Sequence, residues 1–132
     1  MPKRIVIDKS ENRLRLYENG RLLREYPVAT GKEPSLTPEG SFTIVNKIVN
    51  PSWTNPRTGR TIPGGSPENP LGSRWLGLSI GGGSTYGIHG TNQPGSIGGY
   101  ISLGCVRMHN RDVEELFRLV PVGTPVVIQP RT

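Results

Sequence analysis

The chain contains a single cysteine, Cys105, in 132 residues, which excludes a disulfide within it. The thiol is then either a small buried apolar group or a reactive centre. Long apolar runs are missing too. Nothing approaches the ~18 apolar residues of a membrane-spanning helix, so no membrane insertion is expected. The opening MPKRIVID lacks the apolar stretch of about 7–15 residues that marks a secretory signal. An extracytoplasmic substrate would then require an export segment already removed, or another route. No run of five basic residues occurs, although the formal charge is +6 and the pI is about 10.0. Nucleic-acid binding needs a focused basic patch, which scattered Lys and Arg do not supply, so no nucleic-acid partner is expected. A general attraction to anionic wall polymers fits the same charge. Histidine occurs only at 89 and 109, and neither HExxH nor CxxC spacing is present, so no metal site is expected.

What is present reads as one compact domain, residues 1–132 with a core at about 3–129, large enough to fold without staples. Eighteen glycines and thirteen prolines punctuate short apolar runs, the pattern of a loop-rich, mainly β protein. Ile5-Val6-Ile7 is a β-branched strand, and Leu14 and Leu16 alternate with Arg13 and Arg15. Asn19-Gly20 signals a hairpin, because both residues tolerate positive φ. Residues 4–29 therefore read as a three-stranded meander. Strands are also expected at 42–49, 75–80 and 126–128. Residues 50–70 form a proline-rich loop, long enough to serve as a lid or wall over a groove.

One helix is well signalled. Asn110 can cap its first turn, and Asp112 suits the positive end of its dipole. Val113, Leu116, Phe117 and Val120 make an apolar stripe, and Pro121 and Gly123 end it.

The residues able to carry chemistry gather around Cys105. Gly104 permits unusual backbone angles and a close approach of substrate to main-chain amides. The amides of Gly104 and Cys105 could then face a developing oxyanion, and one such donor is commonly worth about 10²–10³ in rate. Arg107 would favour the thiolate and could hold a substrate carboxylate. A free thiol of pKa about 8.5 is only a few per cent ionised at neutral pH, so a histidine in reach is needed to take the proton. His89 and His109 are the candidates, and spacing alone does not choose between them.

The segment IHGTNQPGSIGGYISLGCVRMHNRDV resembles the signature of the L,D-transpeptidase catalytic domain (YkuD-like) family. His89-Gly90 is followed, after fifteen residues between His and Cys, by Ser102-Leu103-Gly104-Cys105-Val106-Arg107. The stretches Tyr26–Lys32, Thr37–Gly40 and Asn69–Gly72 resemble the family as well, so the likeness covers nearly the whole chain. It implies a β-sandwich- or barrel-like fold with one short α-helix after the nucleophile, and a cleft under a loop. It implies Cys105 as nucleophile, His89 as general base and acid, and the Gly90 carbonyl as the group that orients the imidazole. The amides of Gly104 and Cys105 match the oxyanion hole. Ser102 and Arg107, with Tyr86 beside the histidine, match the substrate groove. Leu103 stands where many members carry His, and Arg107 is a common variant of an Asn position.

The activity so implied is attack on peptidoglycan stem tetrapeptides, with D-Ala released and a 3→3 cross-link formed, or hydrolysis if water accepts. No cofactor is expected, the partner is the stem peptide, the chain reads as a monomer, and the cell wall is the place of action. Two other readings are weighed against it. One is a non-catalytic wall-binding module, which would show ordinary thiol reactivity where a catalytic Cys105 would react well below its free pKa. The other is a zinc hydrolase using Cys105, His89 and His109.

Overall fold

A computed structural model describes residues 2–33 and 35–130 of the chain. Strands β1 (Lys3–Asp8), β2 (Arg13–Glu18) and β3 (Arg21–Pro27) form the antiparallel meander read from the sequence. Asn19 and Gly20 turn it with φ of 53° and 79°. Then follow β4 (Thr30–Gly31), β5 (Gly40–Val49), β6 (Trp53–Thr54), β7 (Thr61–Ile62), β8 (Arg74–Leu78) and β9 (Gly87–His89). The chain closes with β10 (Tyr100–Ser102), β11 (Val106–Arg107), helix α1 (Asn110–Leu119) and β12 (Pro125–Gln129).

Eight strands make one sheet in the order β11-β9-β8-β5-β12-β1-β2-β3. Its middle is built by the chain ends: β12 runs parallel to β1, with Ile5 opposite Val126 and Ile7 opposite Ile128. Strand β5 explains how the sheet curls. Its first residues pair with β12, and its remainder, from Ile44 onward, pairs with β8. The register slips between Ile44 and Asn46, a bulge that bends the strand. The Asn46 side chain replaces the lost ladder bonds, accepting from the Gly77 N–H and donating to the Gly83 carbonyl. The fold is thus mainly β with a curled sheet and one short helix.

Alternation puts Ile5, Ile7, Leu14, Leu16, Val126 and Ile128 into the core. Val113 and Leu116 of α1 and Val120 at its C-cap meet them, so the helical stripe faces inward as its spacing requires. Asn110 behaves differently from expectation. It is the first helical residue, the cap position is His109, and no side chain caps the helix. The carboxamide of Asn110 instead reaches the turns at 72–73 and 90–91.

The 50–70 loop is more ordered than its prolines suggest. It contains the β6–β7 ribbon. Buried Asn69 pins its two ends, donating 2.8 Å to the Pro51 carbonyl and accepting 2.8 Å from the Leu71 N–H. Among the described residues no helix is long and apolar enough to cross a membrane.

Candidate active site

The site grows out of one pair of short parallel strands. In β9 and β11, Ile88 lies opposite Val106 and His89 opposite Arg107. The same register sets Cys105 beside Gly87. Side chains alternate along a strand, so Cys105, His89 and Arg107 share one face while Ile88 and Val106 enter the core. The Met108 N–H donates 2.8 Å to the His89 carbonyl, and Arg107 exchanges two 2.9 Å backbone bonds with Ala29. Both edges of β11 are therefore fixed.

Cys105, His89 and Arg107 line a cavity of about 360 Å³ with Ser102, Leu103 and Tyr86. Trp53 and Pro56 of the 50–70 loop, together with Pro70 and Leu71, complete its wall. That loop is thus a wall of the groove. A larger cavity, about 770 Å³, is lined by Gly72 and Thr91 together with His109, Asn110 and Arg111. It holds neither Cys105 nor His89, so chemistry rather than size locates the site.

The two histidines, which spacing could not separate, separate here. His89 lines the cysteine's cavity and His109 the other. Among the described residues no group of three His, Cys, Asp or Glu side chains converges to hold a metal, so the zinc trio is not assembled.

His89 is buried, and its Nδ1 lies 2.5 Å from the Gly90 carbonyl. A carbonyl only accepts, so Nδ1 carries the proton and Nε2 presents its lone pair. Burial lowers the imidazole pKa to about 4; the Gly90 and Leu71 carbonyls pull it up, and Arg107 adds to the lowering. Burial likewise pushes the Cys105 thiol up, against the opposing pull of the Gly87 amide and the Arg107 guanidinium. The resting pair is thus a neutral thiol and a neutral imidazole. The expectation that Cys105 reacts well below its free pKa is set against this burial, and alkylation across pH decides between them. The thiol meanwhile donates 3.6 Å to the Thr85 carbonyl.

The loop before the cysteine is held from within. The Ser102 hydroxyl donates 2.7 Å to the Cys105 carbonyl and accepts 3.1 Å from the Gly104 N–H. Ser102 is buried, and its hydroxyl is spent on the backbone. The Gly104 amide is likewise engaged inside the loop, where an oxyanion donor was expected. Gly104 adopts φ +150°, and a Cβ there would lie 2.8 Å from both the Leu36 carbonyl oxygen and the Tyr86 ring. Tyr86 is half-buried and walls the loop from the cavity side. The half-buried Arg107 guanidinium has no carboxylate partner among the described residues, and burial lowers its pKa. Leu103 is 76% exposed at the rim.

Gly90 is not where the chain turns on a positive φ. A Cβ at Gly90 would instead overlap the Asn110 side-chain oxygen. Asn110 is the residue near the site whose contacts the sequence reading missed.

Known proteins resemble this chain over nearly its whole length. A family model for the L,D-transpeptidase catalytic domain matches residues 2–128. YqjB of Bacillus subtilis, named as an L,D-transpeptidase, is 45% identical over 94% of this chain and 69% of its own length. YkuD of Bacillus licheniformis, named likewise, is 48% identical over 98% of this chain and 67% of its own length. An L,D-transpeptidase structure from Mycobacterium smegmatis superposes with a TM-score of 0.75 at 25% identity, covering 96% of this chain and 58% of that one. The catalytic domain of an Enterococcus faecium L,D-transpeptidase superposes with a TM-score of 0.71 at 26% identity, covering 96% of each. The chain therefore spans about two-thirds of those bacillar relatives and a smaller share of the mycobacterial structure.

Proposed function

The chain belongs to the L,D-transpeptidase catalytic domain family, and from that premise we propose that it transfers peptidoglycan stem peptides through a thioester on Cys105. The observation that carries this reading is the placement of Cys105 and His89 on neighbouring parallel strands, facing one cavity. In the first half-reaction the Cys105 thiol proton passes to His89 Nε2 as sulfur adds to the carbonyl carbon of the third stem residue. The C–N bond to D-Ala then breaks, and Nε2 returns the proton to the departing amine. In the second half-reaction the side-chain amine of another stem attacks the thioester, gives a proton to Nε2, and expels the thiolate, which takes that proton back. Water in the amine's place gives L,D-carboxypeptidase activity.

The electrostatics support a proton that moves during attack rather than beforehand. Burial disfavours both charged forms at rest. Attack creates an oxyanion, for which the Cys105 N–H is the proposed donor, and charge developing there is stabilised more strongly in a dry site than in water. The Gly90 and Leu71 carbonyls favour the protonated ring once it forms. The Gly90 carbonyl acts as the group that orients the imidazole, the part a carboxylate plays in other triads. The guanidinium of Arg107, with no carboxylate partner among the described residues, is placed to hold one from the substrate.

A related structure, 26% identical with a TM-score of 0.75, is a carbamoyl enzyme formed with avibactam, which fits a nucleophile that accepts acyl-type groups. Place of action follows substrate: the cell wall. The test is mass spectrometry of the protein incubated with defined tetrapeptide muropeptides and with a carbapenem. Wild type should gain an acyl mass and release D-Ala, and Cys105→Ala should do neither. An adduct persisting on Cys105→Ala would overturn the assignment.

A further inference from the structure

The peptide group between Gly90 and Thr91 is held from both sides. Its carbonyl accepts from His89 Nδ1 at 2.5 Å, and its N–H donates to Asn110 Oδ1 at 3.1 Å. A trans peptide is planar, with C=O and N–H pointing in opposite directions. Anchoring the N–H therefore aims the carbonyl. The Asn110 carboxamide makes two further bonds: Nδ2 donates 3.1 Å to the Thr91 carbonyl, and Oδ1 also accepts 3.2 Å from the Ser73 N–H. Its orientation is thereby fixed, because the flipped amide would set NH₂ against two backbone donors.

We propose that Asn110 is a positioning residue: by holding the Gly90–Thr91 peptide it fixes the imidazole tautomer that leaves His89 Nε2 free to take the Cys105 proton. The proposal rests on the transfer reading given above. Two glycines make room for it, since a Cβ at Gly72 or at Gly90 would overlap Asn110 Oδ1. The carboxamide thus sits where the turns 72–73 and 90–91 come together, and its place at the first position of α1 ties both to the helix. Asn110 itself is exposed toward the larger cavity. Without it, water from that side competes for the Thr91 N–H and the peptide plane is free to rotate. The carbonyl then leaves Nδ1, and the proton of the neutral ring redistributes between its nitrogens.

The experiment compares wild type, Asn110→Ala and Asn110→Asp. Nitrogen and proton NMR of the His89 ring reports the tautomer. Mass spectrometry reports the rate of acyl-adduct formation with a carbapenem. Alkylation of Cys105 by iodoacetamide at high pH, which needs no imidazole, reports an intact and accessible loop. Wild type should show the Nδ1–H tautomer. Asn110→Ala should show mixed tautomers and acylate about 10- to 100-fold more slowly, by analogy with lost outer-shell partners of other sites, with high-pH alkylation as in wild type. Asn110→Asp keeps an acceptor for both backbone N–H groups, so it should retain the Nδ1–H tautomer and most of the rate. Gly90→Ala leaves Asn110 in place but displaces its carboxamide; it should reproduce Asn110→Ala, and stands in for it if that variant does not fold. A variant lacking the carboxamide contact that keeps the wild-type tautomer and rate would overturn the proposal. If wild type itself gives no adduct, the transfer reading fails, while the tautomer comparison still decides the role of Asn110.

Discussion

The Trp75 indole lies nearly flat against the His89 imidazole, with ring centroids 5.7 Å apart and planes inclined by 13°. Its Nε1–H donates 2.9 Å to the Gly83 carbonyl, which anchors the ring. Residue 87 is glycine because a Cβ there would meet the indole at 2.5 Å. The indole is thus part of what keeps water from the histidine.

Removing that cover should raise the imidazole pKa. The wild-type value of about 4 comes chiefly from burial. In Trp75→Leu the ring should titrate closer to the ordinary histidine value of about 6.5. NMR titration of the His89 ring checks this directly. The acid limb of the acylation rate should move with it, because only the neutral ring accepts a proton. An unchanged titration would mean that other walls do the desolvating.

The same depressed pKa makes stability depend on acid. Between pH 6.5 and about 4 the unfolded chain holds a proton on residue 89 that the folded protein excludes. Stability is therefore full above the unfolded value, falls as pH drops through this window, and loses nothing further from this group below it. The window corresponds to a loss of about 3 kcal/mol. Urea titrations of wild type and His89→Gln at several pH values should show a shallower acid slope in the variant. Equal slopes would remove His89 as the cause.

For Cys105 the expected profile runs opposite to that of a resting thiolate. Burial raises its pKa, so iodoacetamide alkylation should climb at a pH above that of a free thiol. Arg107 lowers the thiol pKa, so Arg107→Met should push the midpoint higher still. The measurement is the alkylation rate against pH, read by mass. A midpoint below that of free cysteine would restore a thiolate–imidazolium resting pair.

The sequence spoke clearly where a pattern was long enough to repeat. The meander and the inward stripe of α1 follow from alternation and helical spacing, and β5, β8 and the closing strand from runs of β-branched and apolar residues. Strands β4, β10 and β11 have two or three residues each, too few for any period, yet β11 is what sets Cys105 beside β9. Spacing could not choose between His89 and His109, and only the family resemblance did, because the choice depends on pairing across the sheet rather than on distance along the chain. The sequence reading allowed Gly104 unusual backbone angles, as its φ of +150° bears out, and placed Ser102 in the substrate groove. It did not foresee that the serine hydroxyl would take up the Gly104 amide, since short polar residues serve loops and ligands with the same atoms.

Gly104 gives a backbone test of the cysteine loop. At φ +150° a side chain is strained, and an added Cβ would press on the Leu36 carbonyl oxygen and the Tyr86 ring at 2.8 Å. Gly104→Ala should therefore destabilise the protein by about 1–3 kcal/mol and shift the Cys105 amide away from the developing oxyanion. Losing one such donor costs about 10²–10³ in rate. Thermal melting and carbapenem acylation measured together check it. A variant that melts lower but acylates at the wild-type rate would mean that the loop tolerates the displacement and that the Cys105 amide is not the donor.

The support behind that loop begins at a buried lysine. Lys9 is 1% exposed, and its Nζ donates 2.6 Å to the Thr37 carbonyl and lies 3.0 Å from a Glu39 carboxylate oxygen. These contacts tie residues 36–39 to the end of β1. Thr37 in turn accepts 2.8 Å from the Gly31 N–H, and the neighbouring Leu36 carbonyl backs Gly104. The chain of contact thus runs from the sheet's centre to the residue before the candidate nucleophile. Lys9→Met keeps the aliphatic bulk and removes the ammonium, which leaves a buried carbonyl without this donor at a cost of about 1–3 kcal/mol. Melting temperature should fall accordingly, and amide exchange at Leu36 and Thr37 should quicken before that of β1. Because Lys9 is not among the residues that line the cavity, the effect on acylation should appear as a slower rate that partly recovers on cooling, as the loop reorders. Unchanged exchange at Leu36 and Thr37 would show that the loop stands without the lysine.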